Sequence, residues 1–126
     1  MFNHVMVGSN DMDRSKRFYD ALFAALGARP GMQNEKHLLY LHKGGVFMVG
    51  RPLDGQPATH ANGGTIGFAA DSPEQLQAWH DAGVAAGGMS VEDPPGPRDG
   101  MYGKQHLAYL RDPDGNKLCA ACRPSA

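Results

Sequence analysis

Apolar and polar positions along the chain resolve into short strand-like runs and two helical stretches, and the same order occurs twice. His4-Val5-Met6-Val7-Gly8 reads as a short strand. A helix then runs roughly from Asp11 to Leu26, because Phe18 and Leu22, and Tyr19 and Phe23, are four apart, with Leu26 three further on. Asn10 or Asp11 can accept the free N–H groups of its first turn, and Gly27 can close it in a left-handed conformation. A weak strand near Arg29–Gln33 follows, then His37–His42 and Val46–Arg51. Displaced by 61 positions, Thr65-Ile66-Gly67-Phe68-Ala69 lies over the first strand, Asp71-Ser72 over Asn10-Asp11, and Trp79-His80-Asp81-Ala82 over Phe18-Tyr19-Asp20-Ala21.

The second helix has the clearer start. Ser72-Pro73-Glu74-Gln75 offers a capping serine, proline at the first helical position and glutamine where a capping box needs it. Leu76, Trp79, Gly83 and Ala86 mark its buried stripe, with Trp79 read as core, and Gly87-Gly88 ends it. Strands are expected at Met89–Glu92, Gln105–Arg111 and Lys117–Arg123. Asp112-Pro113-Asp114-Gly115-Asn116 reads as a turn in which both aspartates can bond local N–H groups; it lacks the later carboxylates of a calcium loop. Residues 94–103 carry prolines and glycines that speak against regular structure, leaving either a plain connection or a lid. Residues 54–64 are the natural linker. The chain thus reads as one domain of residues 1–126, with modules of about 1–53 and 64–126.

Composition narrows the function classes. Twelve basic and thirteen acidic residues give a net charge of −1, which supplies no field for a phosphate backbone, so no nucleic-acid partner is expected. The cluster from Arg14 to Arg17 reads as a solvated helical face. No window approaches the ~18 apolar residues needed to cross a bilayer, and no secretory signal opens the chain, so a cytoplasmic location without membrane contact is expected. Cys119 and Cys122, three apart in a strand, point to opposite faces and cannot easily pair.

Two βαβββ units, Phe18-Tyr19 in the first helix and the Asp112–Asn116 turn before a terminal strand together resemble the glyoxalase, bleomycin-resistance and extradiol-dioxygenase superfamily, over almost the whole chain. The resemblance implies an α+β fold whose two modules form an incomplete barrel or cup, with helices on the convex side. It also implies a divalent metal in the cup, chelated by adjacent substrate oxygens and acting as a Lewis acid on a developing anion. Ligands come from the first and last strands of each unit. Carried over, they fall at His4, Thr65, Met48 and Cys119, so one of four keeps a usual ligand type.

The altered site can be read in two ways. His4, Met48 and Cys119 could form a soft set for Zn or Cu(I), or Cys119 could be a thiolate beside His4. Otherwise the metal (Zn, Ni, Fe or Mn in the family) is lost, no cofactor is expected, and His4, Met48, Thr65 and Cys119 line an apolar pocket. Tyr102 could add a phenolic donor. His106 could face the pocket, whereas His37, His42, His60 and His80 read as solvated or hydrogen-bonded.

Two functions follow from the resemblance. One is a small-molecule lyase, isomerase or dioxygenase, related to lactoylglutathione lyase, with a degenerate metal site. The other is a non-catalytic homodimer of the bleomycin-resistance type that sequesters an antibiotic or metabolite. Exposed strand edges in an open cup favour a homodimer. A structural or regulatory partner domain would bind no tight ligand.

Overall fold

The computed structural model describes residues 1–101 and 103–124. The first half comprises β1 (Val5–Gly8), α1 (Met12–Ala24), β2 (Met32–Gln33), β3 (His37–His42) and β4 (Gly45–Gly50). The second comprises β5 (Ile66–Ala69), α2 (Pro73–Ala85), β6 (Met89–Ser90), β7 (Gly96–Gly100), β8 (Gly103–Arg111) and β9 (Lys117–Cys122). Both helices have 13 residues and obey the 61-position displacement that the sequence shows. One sheet has the order β1-β4-β3-β2, the other β5-β9-β8-β6 with β7 also on β8, and they do not close into a barrel. In each, the strand before the helix pairs in parallel with the last strand of its half.

Local chemistry sets the ends of these elements. Asp11 caps α1 by accepting the Arg14 N–H at 3.0 Å, and Ser72 caps α2 by accepting that of Gln75 at 3.1 Å. Gln75 reaches back to the Asp71 N–H, one residue before the cap, in a variant of the expected box. Residues 94–103 depart from expectation, since β7 forms there and pairs antiparallel with β8. Its Pro97 is tolerated because β7 is an edge strand, where a missing N–H breaks no second ladder.

The core lies between the helices and one face of each sheet. Leu38, Tyr40, Phe47 and Val49 from the first sheet, and Ala108, Leu110, Leu118 and Ala120 from the second, meet Phe18, Tyr19, Leu22, Leu76 and Trp79. Tyr19, Phe23, Phe47, Phe68 and Trp79 continue as a chain of ring contacts with centroids 5.0 to 6.4 Å apart. Trp79 is therefore core, as its place on the helix predicts.

Each hairpin tip holds the opposite half. Asp114 accepts the Asn10 N–H at 3.0 Å and pairs with Arg14 at 2.8 Å, while Asn116 donates to the Gly8 carbonyl at 3.1 Å. In the other direction, Lys43 pairs with Asp71 at 2.8 Å. Asp112 caps its own turn, accepting the N–H groups of Asp114 and Asn116 at 2.9 Å each, and also accepts the Tyr19 hydroxyl. Burial holds its carboxyl above the ordinary range, against the pull of these donors.

Candidate functional site

Strand alternation decides where the expected site residues point. Val5, Val7, Phe47 and Val49 face the core, which turns His4, Met6, Val46 and Met48 to the outward face of the first sheet. Ile66, Phe68, Leu118 and Ala120 likewise face the core, so Thr65, Gly67 and Cys119 occupy the outward face of the second. The four expected positions are thus divided between two faces, both turned from the helices. His106 shares the parity of Ala108 and Leu110 and does not join them. Tyr102 lies outside the described residues.

Both outward faces are rich in soft or neutral groups. Register places Met6 beside Met48, Met48 beside Leu39 and Leu39 beside Met32, forming one apolar row across the first sheet. Met6 and Met32 are 44% and 55% exposed, which is high for methionines in a sheet. On the second sheet, Cys119 lies between Gly67 and Tyr109. Burial pushes both the Cys119 thiol and the Tyr109 phenol up, so both stay protonated at neutral pH. Tyr109 is not among the site residues expected from the sequence, although its position opposite Cys119 in the hairpin was the available signal. A thiol held protonated does not fit the nucleophile alternative.

His4 and Thr65 also meet in the wall of a cavity of about 600 Å³. It opens between the start of β1, the β3–β4 hairpin, the end of α1 and β5, and Phe23, Tyr40, Phe47 and Phe68 complete much of its wall. Met48 and Cys119 are not part of that wall. The His4 Nδ1 lies 2.8 Å from the Asn3 Oδ1, which orients the ring and leaves Nε2 free. His80 is bonded instead to Ser90 at 2.8 Å, tying α2 to β6.

The glyoxalase/bleomycin resistance protein/dioxygenase superfamily pattern matches residues 1–120. The chain belongs to that superfamily. A glyoxalase/bleomycin resistance protein from Albidiferax ferrireducens is 58% identical, with a TM-score of 0.95 over 98% of this chain and 99% of that one. A glyoxalase-related enzyme from Fulvimarina pelagi shares the fold at 22% identity and a TM-score of 0.74, over 98% and 88% of the two chains. The fosfomycin resistance protein FosX from Mesorhizobium loti does so at 14% and 0.71, over 98% and 92%. No curated protein matches the chain.

Members of the superfamily often hold a divalent metal through imidazole and carboxylate donors. Here the corresponding positions offer one imidazole, a hydroxyl, a thioether and a protonated thiol. Among the described residues, no three His, Cys, Asp or Glu side chains converge on a common point. The donor set does not fit such a centre. No described helix is long and apolar enough to cross a membrane.

Proposed function

We propose that this superfamily member is a binding protein of the bleomycin-resistance type, a homodimer that encloses a small organic ligand between the first sheet of one copy and the second sheet of its partner. The observation that carries this reading is the division of the site. His4 and Met48 lie on one outward face, Thr65 and Cys119 on the other; His4 and Thr65 are exposed just before β1 and β5, Met48 is half-buried, and Cys119 is buried beside Tyr109. A second copy related by a two-fold axis would put complementary halves together twice, as closed symmetry requires. The row Met6–Met48–Leu39–Met32 supplies adaptable apolar surface for that contact.

Light scattering tests the assembly, with a dimer expected for the native chain. Met48→Asp places a charge on the apolar row and is expected to give a folded monomer. A native monomer would overturn the shared cup.

One observation favours the other reading, a metal-assisted lyase, isomerase or dioxygenase. The Asn3–His4 contact resembles the outer partner that commonly orients a metal-bound imidazole. Metal analysis of untagged protein separates the two. The binding-protein reading expects less than a tenth of an equivalent of Zn, Ni, Fe, Mn or Cu per chain. One equivalent, lost in His4→Ala, would establish the enzyme reading.

A further inference from the structure

We infer that Ser90, His80 and Asp81 form a separate site on the helix side of the second sheet, which hydrolyses small activated esters through an acyl-serine. It lies apart from the outward faces and does not depend on the function proposed above. Ser90 stands opposite the buried Leu110, so its hydroxyl turns toward α2, where His80 meets it. The His80 Nε2 lies 2.8 Å from the Ser90 Oγ, and the His80 Nδ1 lies 3.3 Å from the Asp81 Oδ1. A carboxylate only accepts, so Nδ1 carries the ring proton and Nε2 accepts the Ser90 O–H. Gln77, one turn earlier on α2, donates to the same Asp81 oxygen at 3.0 Å and steadies it. Nucleophile, base and positioning acid thus stand in the order that acyl transfer uses.

Exposure is divided as that chemistry needs. Ser90 is open to solvent, whereas the His80 ring is 8% exposed and held on both nitrogens. The strand supplies a further donor. Bonded and non-bonded pairs alternate along antiparallel strands. Val91 donates to the Tyr109 carbonyl at 3.2 Å, so the Ser90–Leu110 pair is a non-bonded one and the Ser90 N–H points away from β8. β6 ends the strand order on that side, which leaves this N–H at an open edge among the described residues. There it can receive the oxyanion formed when the Ser90 Oγ attacks an ester carbonyl. His80 takes the hydroxyl proton and returns it to the departing oxygen. Water then attacks the acyl-serine, releasing the carboxylic acid and restoring the hydroxyl. Val84, one turn beyond His80 and 42% exposed, offers an apolar shoulder, and the open edge suits a short acyl group better than a long chain.

Hydrolysis of 4-nitrophenyl acetate, with peptide mapping of the acetylated chain by mass spectrometry, tests this site. The native protein is expected to release nitrophenolate at least about tenfold faster than Ser90→Ala and to carry the acetyl group on Ser90. His80→Gln should lower the rate by a similar factor. Asp81→Asn should lower it about three- to tenfold at an unchanged melting temperature, and Asp81→Glu should restore most of it. Ser90→Cys should keep an acylated nucleophile at the same position. If the three residues only tie α2 to β6, Ser90→Ala would lower the melting temperature and leave the rate within twofold of native. That result, or acetyl groups found on lysines or other histidines but not on Ser90, would overturn the site.

Discussion

Asp114 has its side chain 2% exposed and takes a backbone N–H, the Arg14 guanidinium and, at 3.3 Å, the Ser15 hydroxyl. Removing it leaves those donors around a small void at the start of α1. Asp114→Ala should cost about 2 kcal/mol, at the lower end for a broken buried pair because Arg14 is 40% exposed. A shifted urea midpoint at constant slope checks this. The sequence marked both aspartates as binders of local N–H groups. Asp112 is one, but the Arg14 partner of Asp114 lies 100 positions away, beyond any local pattern. Asp20 answers to pH. Burial pushes its carboxyl up, but the Gly31 N–H, Lys16 and the Tyr40 hydroxyl outweigh this and hold it below 3.8. A lowered folded value contributes stability above the unfolded one and loses it as pH falls through the folded one. Asp20→Asn should therefore lower stability at pH 7 and flatten its decline below pH 4, as read by denaturant titrations across that range.

Helices and sheet edges were legible to different degrees. Both helices could be read because their caps, apolar stripes and terminating glycines repeat at one displacement, and Gly27 and Gly87 adopt φ values of 87° and 108° as expected. β7 could not be read, since an edge strand needs neither alternation nor freedom from proline. Its existence follows from the partner β8, which is longer than its sequence signal. Gly83 shows how packing overrides propensity. In an exposed helix Gly→Ala gains up to ~1 kcal/mol. Here an added Cβ would lie 2.6 Å from the Leu110 Cδ2 and 2.9 Å from the Leu22 Cδ1, both fully buried. Gly83→Ala should destabilise by about 1–3 kcal/mol, the usual range for overpacking, and calorimetry should show a lower melting temperature.

At the scale of the whole molecule, the superfamily fold was legible from the repeat and the Asp112–Asn116 hairpin, because both encode long-range symmetry in local signals. The way the two faces complete a site was not, because the sequence gives parity along a strand but no account of what covers an outward face. His4, Thr65 and Cys119 allow this arrangement to be tested by restoring what the superfamily pattern expects. Thr65→His together with Cys119→Glu would supply two donors on the second sheet to join His4 on the first. If a partner copy brings the faces together, three donors of the right kind surround an open position, as a divalent metal requires. The double variant should then take up about one Ni or Zn per chain and melt several degrees higher with the metal than without it, since ligand bound only to the folded state stabilises it. Adding His4→Ala should remove most of that gain, and so should Met48→Asp, which leaves His4 in place but separates the copies. A gain that survived Met48→Asp in the monomer would place all three donors within one chain and remove the need for a partner.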